Sequence, residues 1–210
     1  LKGAGRGSML VVAGCGMEGT AQTIGLAKKM VAAGADALLV ITPCYFKASM
    51  NERALEAHFD AVAEALPDTP IILYNMPANT GIDMSHALIA KVSKKHRNIV
   101  GLKDSGGNVQ KLAMVRQAAP ELQVLAGSFG FLLPALAIGC VGGICAMANA
   151  CPEDCCKVME LWKANDLAAA QELQNRLTET NFAVTAKYGV PAMKTLMLWR
   201  GFAGKPHVRL

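Results

Sequence analysis

The stretch IVGLKDSGG (residues 99–107) decides how the chain is read. Ile99, Val100 and Leu102 form an apolar run suited to a buried strand, and Lys103 and Asp104 follow it directly, then small residues. A strand that ends on an amine invites two readings. One is a strand-end cation paired with its neighbour Asp104. The other is chemical: an amine in an apolar setting is favoured neutral, and a neutral lysine is a nucleophile towards ketones. The protonated imine that forms is an electron sink, which makes cleavage of a neighbouring carbon–carbon bond feasible. Ser105, Gly106, Gly107 and Asn108 then offer hydroxyl and backbone N–H donors at the start of a helical pattern, a setting that suits a carboxylate.

Working outward, similar apolar runs recur at MLVVAG (9–14), ADALLVIT (35–42), PIILYN (70–75), LQVLAG (122–127) and GGICAMAN (142–149). Near-continuous hydrophobicity without alternation suits parallel strands covered on both faces. Between the runs lie helical patterns. EGTAQTIGLAKKMVAAG places Ile24, Ala27, Met30 and Val31 on one side and ends at Gly34, a C-cap residue. NERALEAHFDAVAEAL aligns Leu55, Phe59, Val62 and Leu66, and SHALIAKVSKK and NVQKLAMVRQAA follow the same rule. Beyond residue 150 only helical patterns remain. The alternation predicts an α/β fold with a parallel sheet and right-handed crossovers. Strand starts about 20–35 residues apart suit a (β/α) barrel, and no G-x-G-x-x-G turn supports a doubly wound sheet. Six strands are visible where a barrel needs eight, so either the sheet is open or two βα units precede this chain.

In a barrel, chemistry belongs at the C-terminal strand ends. Those ends read Ala13-Gly14-Cys15-Gly16, Thr42-Pro43-Cys44-Tyr45, Tyr74-Asn75, Lys103-Asp104-Ser105, Gly127-Ser128 and Ala148-Asn149, with Lys103 the one cation among them. Tyr74 ends the strand before that of Lys103, so phenol and amine would face one ligand and the phenol could relay protons. A strand tyrosine is otherwise a buried ring with a satisfied hydroxyl; the pair is more specific than either residue.

Composition narrows the alternatives. The 210 residues are 52% hydrophobic and 18% charged, enough for one sizeable core. The net charge of +5 is dispersed and aromatics make up 5%, so nucleic acid is not expected as a partner. The seven cysteines contain no C-x-x-C pair and read as reduced, buried thiols. Residues 125–152 lack any charge, which raises a membrane span. Pro134 and the glycines at 127, 130, 139, 142 and 143 divide that stretch into back-to-back buried elements, so no membrane partner is expected.

On these residues the chain resembles the pyruvate-dependent class I aldolases, the family that includes dihydrodipicolinate synthase, N-acetylneuraminate lyase and 4-hydroxy-2-oxoglutarate aldolase. The matching stretches are ITPCYF (41–46), ILYNMPANTGIDM (72–84), IVGLKDSGGN (99–108), VLAGS (124–128), GGICAMAN (142–149) and KYGVPAMKTLM (187–197). The resemblance implies a (β/α)8 TIM barrel with its first two βα units missing here, barrel strands three to eight over residues 1–150, and a helical region over 151–210. It implies that Lys103 forms the Schiff base and Tyr74 relays protons. Ser105 and Gly127 fall at substrate-contacting positions, Ile144 at an apolar wall against the pyruvyl group, and Tyr45 at the second tyrosine of a T-P-Y-Y motif whose first is Cys44. Asn79 stands where the synthase carries an arginine for the carboxylate of its aldehyde substrate. PANTG and KDSGGN together resemble the animal mitochondrial 4-hydroxy-2-oxoglutarate aldolases, which implies cleavage to pyruvate and glyoxylate, a homotetramer and a mitochondrial location. No metal or diffusible cofactor is implied, and the partner is a small oxo acid. The family's G-S-x-G-E type loop for the pyruvyl carboxylate has no counterpart: LKGAGRGS (1–8) lacks its glutamate. The chain therefore reads as truncated. Two alternatives stay open: a synthase-like condensation of pyruvate with another aldehyde, and a non-catalytic chain that packs with full-length subunits.

Overall fold

The computed structural model describes residue 7 and residues 9–207; apart from Gly7, the glycine-rich start lies outside them. Two compact units divide the chain, residues 1–124 and 125–210. The first holds β1 (Val12–Cys15), α1 (Thr20–Ala32), β2 (Ala37–Ile41), α2 (Glu52–Glu64), β3 (Ile71–Asn75), the short α3 (Pro77–Thr80), α4 (His86–Lys95), β4 (Ile99–Asp104) and α5 (Val109–Ala118). Its four strands pair in parallel and in chain order. β5 (Gln123–Ala126) follows, and the second unit continues with α6 (Leu132–Ala137), β6 (Gly142–Gly143), α7 (Pro152–Lys163), α8 (Leu167–Phe182) and α9 (Gly189–Trp199). β5 and β6 are also parallel. The α/β alternation is the one expected from the apolar runs.

Local chemistry sets the element boundaries. Asn51, Ser85 and Asn108 cap α2, α4 and α5 by accepting the N–H of Ala54, Leu88 and Lys111, each satisfying an orphan donor of the first turn. Gly34 follows α1 at φ +100°, a conformation that glycine adopts without a Cβ penalty. The first unit's core is Leu38, Val40, Ile71, Leu73 and Leu102 from the strands against Phe59, Val62, Ile89 and Leu112 from the helices. On α1 the buried positions are Thr23 and Ala27, and Ile24, Met30 and Val31 are only half-buried. Thr23 is accommodated because its hydroxyl donates to the Met17 carbonyl and accepts the Met17 N–H.

The last expected strand is corrected. Only Gly142–Gly143 of GGICAMAN pairs as a strand, and Ala146–Asn149 is a 3₁₀ turn that buries Met147. Short apolar runs do not distinguish a strand from a buried helical turn. A Cβ on Gly143 would lie 2.8 Å from Cys145 Sγ and 3.0 Å from the Ala126 carbonyl, so this crossing needs glycine. The uncharged stretch 125–152 is thus divided among β5, α6, β6 and two 3₁₀ turns. No helix among the described residues is long and apolar enough to cross a membrane. Burial raises the thiols of Cys15, Cys151 and Cys155, the last to about 12.

One buried group makes stability depend on pH. His58 on α2 is 4% exposed; its Nδ1 shares a 2.9 Å hydrogen bond with the Thr20 hydroxyl, and its Nε2 has no partner among the described residues. Burial pushes its pKa down to about 4. The unfolded chain therefore binds a proton more readily than the folded one between pH 6.5 and 4. Stability is unaffected by this group above pH 6.5 and falls as pH drops through that window, by about 3 kcal/mol in all. Urea unfolding at pH 7.5 and pH 4 should show a smaller acid loss in His58→Gln than in the parent chain. Equal losses would show that His58 takes no part.

Candidate active site

Lys103 and Tyr74 meet through a register irregularity. Ile71 pairs with Ile99, but Ile72 pairs with Gly101, so Val100 is an extra residue on β4. Bulges of this kind re-aim side chains beyond them. The shift sets Tyr74 opposite Lys103 and Asn75 opposite Asp104. Gly101 also lets β4 approach the first residue of β5 closely, since a Cβ on it would lie 3.1 Å from the Gln123 carbonyl. Parallel strands in register present neighbouring residues to the same face, and the Lys103 Nζ lies over the Tyr74 ring, 4.2 Å from its centroid. Both residues are half-buried.

Asp104 is not the counter-ion of Lys103. Its fully buried carboxylate accepts from the Lys111 Nζ at 2.9 Å, from the Asn75 Nδ2 at 2.7 Å and from the Gly106 N–H at 2.8 Å. Lys111, from α5, also reaches Asp83 at 2.5 Å, and Asp83 accepts from Asn75 at 2.7 Å. Burial pushes the Asp83 carboxyl up, but the hydrogen bonds from Lys111 and Asn75 and the Lys111 charge outweigh it and leave it below the usual carboxylate range. Asn75 closes the network by accepting the Met84 N–H at 2.9 Å, and its backbone carbonyl accepts the Ser105 N–H at 2.8 Å. The ends of β3 and β4 and the loops behind them are thus tied to one ammonium, and Lys103 is left without an ion pair among the described residues. Lys111 was missed because a helical lysine is read as solvated. Its signal was position, one turn before the buried Val115 on the same face as Leu112.

The remaining sequence-derived residues lie on other segments. Ser105 follows Lys103 and is half-buried. Asn79 is exposed on α3, where its N–H donates to the Met76 carbonyl. Tyr45 is 76% exposed and meets Phe46 edge to face, ring centroids 5.0 Å apart. The loop that carries it is clamped by Glu18, which accepts the Tyr45 N–H at 2.8 Å and the Cys44 N–H at 3.0 Å; the Tyr45 hydrogen bond holds the Glu18 carboxyl below the usual range. In the second unit Gly127 follows β5, and the Ile144 N–H donates to the Ala126 carbonyl at 2.9 Å. Within the first unit a cavity of about 660 Å³ lies at the starts of β4 and β5, at the opposite end of β4 from Lys103, lined by Lys94, Arg97, Ile99 and Leu122 among others.

A parallel α/β protein with a lysine that has no ion pair among the described residues, set against a tyrosine at adjacent strand ends, is of the class suited to amine chemistry on carbonyl compounds. The chain belongs to the Dihydrodipicolinate synthetase family, whose profile matches residues 2–210. It is 38% identical over 209 residues to the probable mitochondrial 4-hydroxy-2-oxoglutarate aldolase of Emericella nidulans, covering 98% of this chain and 67% of that one. It is 37% identical over 196 residues to the 4-hydroxy-tetrahydrodipicolinate synthase of Acidiphilium cryptum, covering 93% of this chain and 66% of the relative. Among solved structures it superposes on YagE, a prophage protein of the dihydrodipicolinic acid synthase family from E. coli K12 in complex with pyruvate. The TM-score is 0.88 at 28% identity, over 97% of this chain and 69% of that one. The chain thus spans about two thirds of the length of these relatives.

Proposed function

We propose that this chain carries the Schiff-base centre of a class I aldolase that cleaves 4-hydroxy-2-oxoglutarate to pyruvate and glyoxylate. The observation that carries the reading is Lys103: its amine lies against the Tyr74 ring and has no carboxylate partner among the described residues, because Lys111 occupies Asp104. The amine adds to the C2 ketone and loses water to give the iminium. The C4 hydroxyl gives up its proton with Tyr74 in the relay. The C3–C4 bond then breaks, its electron pair moves into the iminium, and glyoxylate leaves. The enamine takes a proton at C3, and water releases pyruvate and restores the lysine. Ser105 and the backbone N–H groups that follow would face the substrate carboxylate, with Gly127 and Ile144 serving as substrate contacts and Tyr45 assisting the relay.

The reading extends to a (β/α)8 barrel of which this chain holds six strands, supported by its coverage of about two thirds of the relatives. It extends also to a homotetramer, by resemblance, and to mitochondria, where the name of the E. nidulans relative places that protein. The competing reaction, condensation of pyruvate with aspartate semialdehyde, has the A. cryptum relative in its favour; the neutral Asn79 opposes it.

Borohydride added with pyruvate should leave a covalent adduct on Lys103 in the parent chain and none in Lys103→Arg. A folded parent chain that takes up no adduct would end this reading and favour a non-catalytic chain. Turnover of 4-hydroxy-2-oxoglutarate should exceed condensation with aspartate semialdehyde; the reverse order would make the chain a synthase.

A further inference from the structure

A dicarboxylic oxo acid bound through its ketone leaves a second carboxylate that needs a cation, and Asn79 offers none. Lys111 is buried and already paired with Asp83 and Asp104. Lys47 is different. It opens the 3₁₀ turn Lys47–Ser49 that follows β2 and is exposed; its carbonyl accepts the Met50 N–H, but its side chain makes no hydrogen bond or ion pair among the described residues. Its side chain lies across Gly81, just after α3: a Cβ built on Gly81 would fall 2.9 Å from the Lys47 Nζ and 3.1 Å from its Cδ and Cε. Gly81 is the left-handed cap of α3 at φ +67° and stands two residues after Asn79. The absent side chain at 81 therefore does two things: it permits the turn, and it leaves the groove in which the Lys47 ammonium rests.

The strand register puts this ammonium on the substrate side. Ile41 at the end of β2 pairs with Tyr74, which pairs with Lys103. The loops that follow β2 and β3, which carry Lys47 and Gly81, leave from the same ends of the strands as Lys103. β2 and β4 are separated by one strand, about 10 Å at the usual spacing, a gap that two lysine side chains and a five-carbon acid can span.

We infer that Lys47 supplies the cation for the distal carboxylate of a dicarboxylic 2-oxo acid, filling the role left empty by the neutral residue at 79. This rests on the Schiff-base reading of Lys103. The consequence is selectivity by charge: the site favours five-carbon 2-oxo diacids over monoacids of equal length.

Trapping by borohydride tests this without turnover, using 2-oxoglutarate, the five-carbon monoacid 2-oxopentanoate, and pyruvate. In Lys47→Gln the half-saturating concentration of 2-oxoglutarate should rise about ten- to a hundredfold, the worth of one charge-assisted hydrogen bond. Values for pyruvate and 2-oxopentanoate should stay within about twofold, since neither carries a distal charge. Lys47→Arg should recover most of the affinity, and Arg53→Gln, a cation in the first turn of α2, should change nothing. An equal rise for all three acids, or none for 2-oxoglutarate, overturns the assignment of Lys47 while leaving Lys103 intact. Failure of the parent chain to trap pyruvate overturns both.

Discussion

Replacing Lys111 by methionine is expected to remove about 3–5 kcal/mol of folding stability at neutral pH, the cost of leaving a buried carboxylate without its counter-charge. Methionine matches the lysine stem in length, so the packing of α5 against β4 is kept and the charge alone is lost. Asp104 would retain the N–H groups of Asn75 and Gly106, but those are dipoles, and the carboxylate is fully buried. Asp83 is better placed to lose the ammonium, because its side chain is 53% exposed, and Asp83→Asn should cost less than about 1 kcal/mol. Adding Asp104→Asn to Lys111→Met should recover a substantial part of the loss, since the orphan charge is then gone. Urea unfolding at pH 7 measures all four chains. A Lys111→Met loss below about 1 kcal/mol would show that the ammonium is dispensable. The functional consequence is local: Ser105 and Gly106 are tied back to Asn75 and Asp104, so the loop following Lys103 should loosen with the network.

The parts legible in the sequence were those that depend on one segment at a time. The apolar runs at 35–42, 70–75 and 99–105 announced parallel strands, and the polar residues closing them, Thr42, Asn75 and Lys103-Asp104-Ser105, marked the strand ends at which Lys103 and Tyr74 meet. What escaped notice depends on pairs of segments. Apolarity alone could not show that Val100 is an extra residue, yet that irregularity sets Tyr74 opposite Lys103. The reading of Lys103 as a partner of Asp104 was local too, and it fails because a lysine eight residues on, returned by α5, takes the carboxylate first. Lys47 was unremarkable in sequence because its place is defined by a side chain that Gly81 lacks. The strand expected at 142–149 shrank to two glycines, because Met147 can be buried by a 3₁₀ turn as well as by a pleat.

Tyr74→Phe should divide the site's two tasks. The Lys103 Nζ rests on the face of the ring, 4.2 Å from its centroid, and that contact is made by the ring and not by the hydroxyl. Phenylalanine keeps the ring, the packing of β3 and the placement of the amine. The imine should therefore still form, and borohydride should trap pyruvate on Lys103 to about the same extent. In the proposed reaction, carbon–carbon cleavage needs a proton taken from the C4 hydroxyl and another delivered at C3; if Tyr74 is the relay, both transfers lose it with the phenol. Turnover should fall by about 10²–10⁴-fold, the usual contribution of a positioned acid–base group. Tyr74→Leu, which removes the ring as well, should lose trapping along with turnover. If Tyr74→Phe loses trapping as completely as Tyr74→Leu, the hydroxyl is needed for imine formation itself. If it keeps full turnover, the protons travel by another route and Tyr74 serves only to seat the amine.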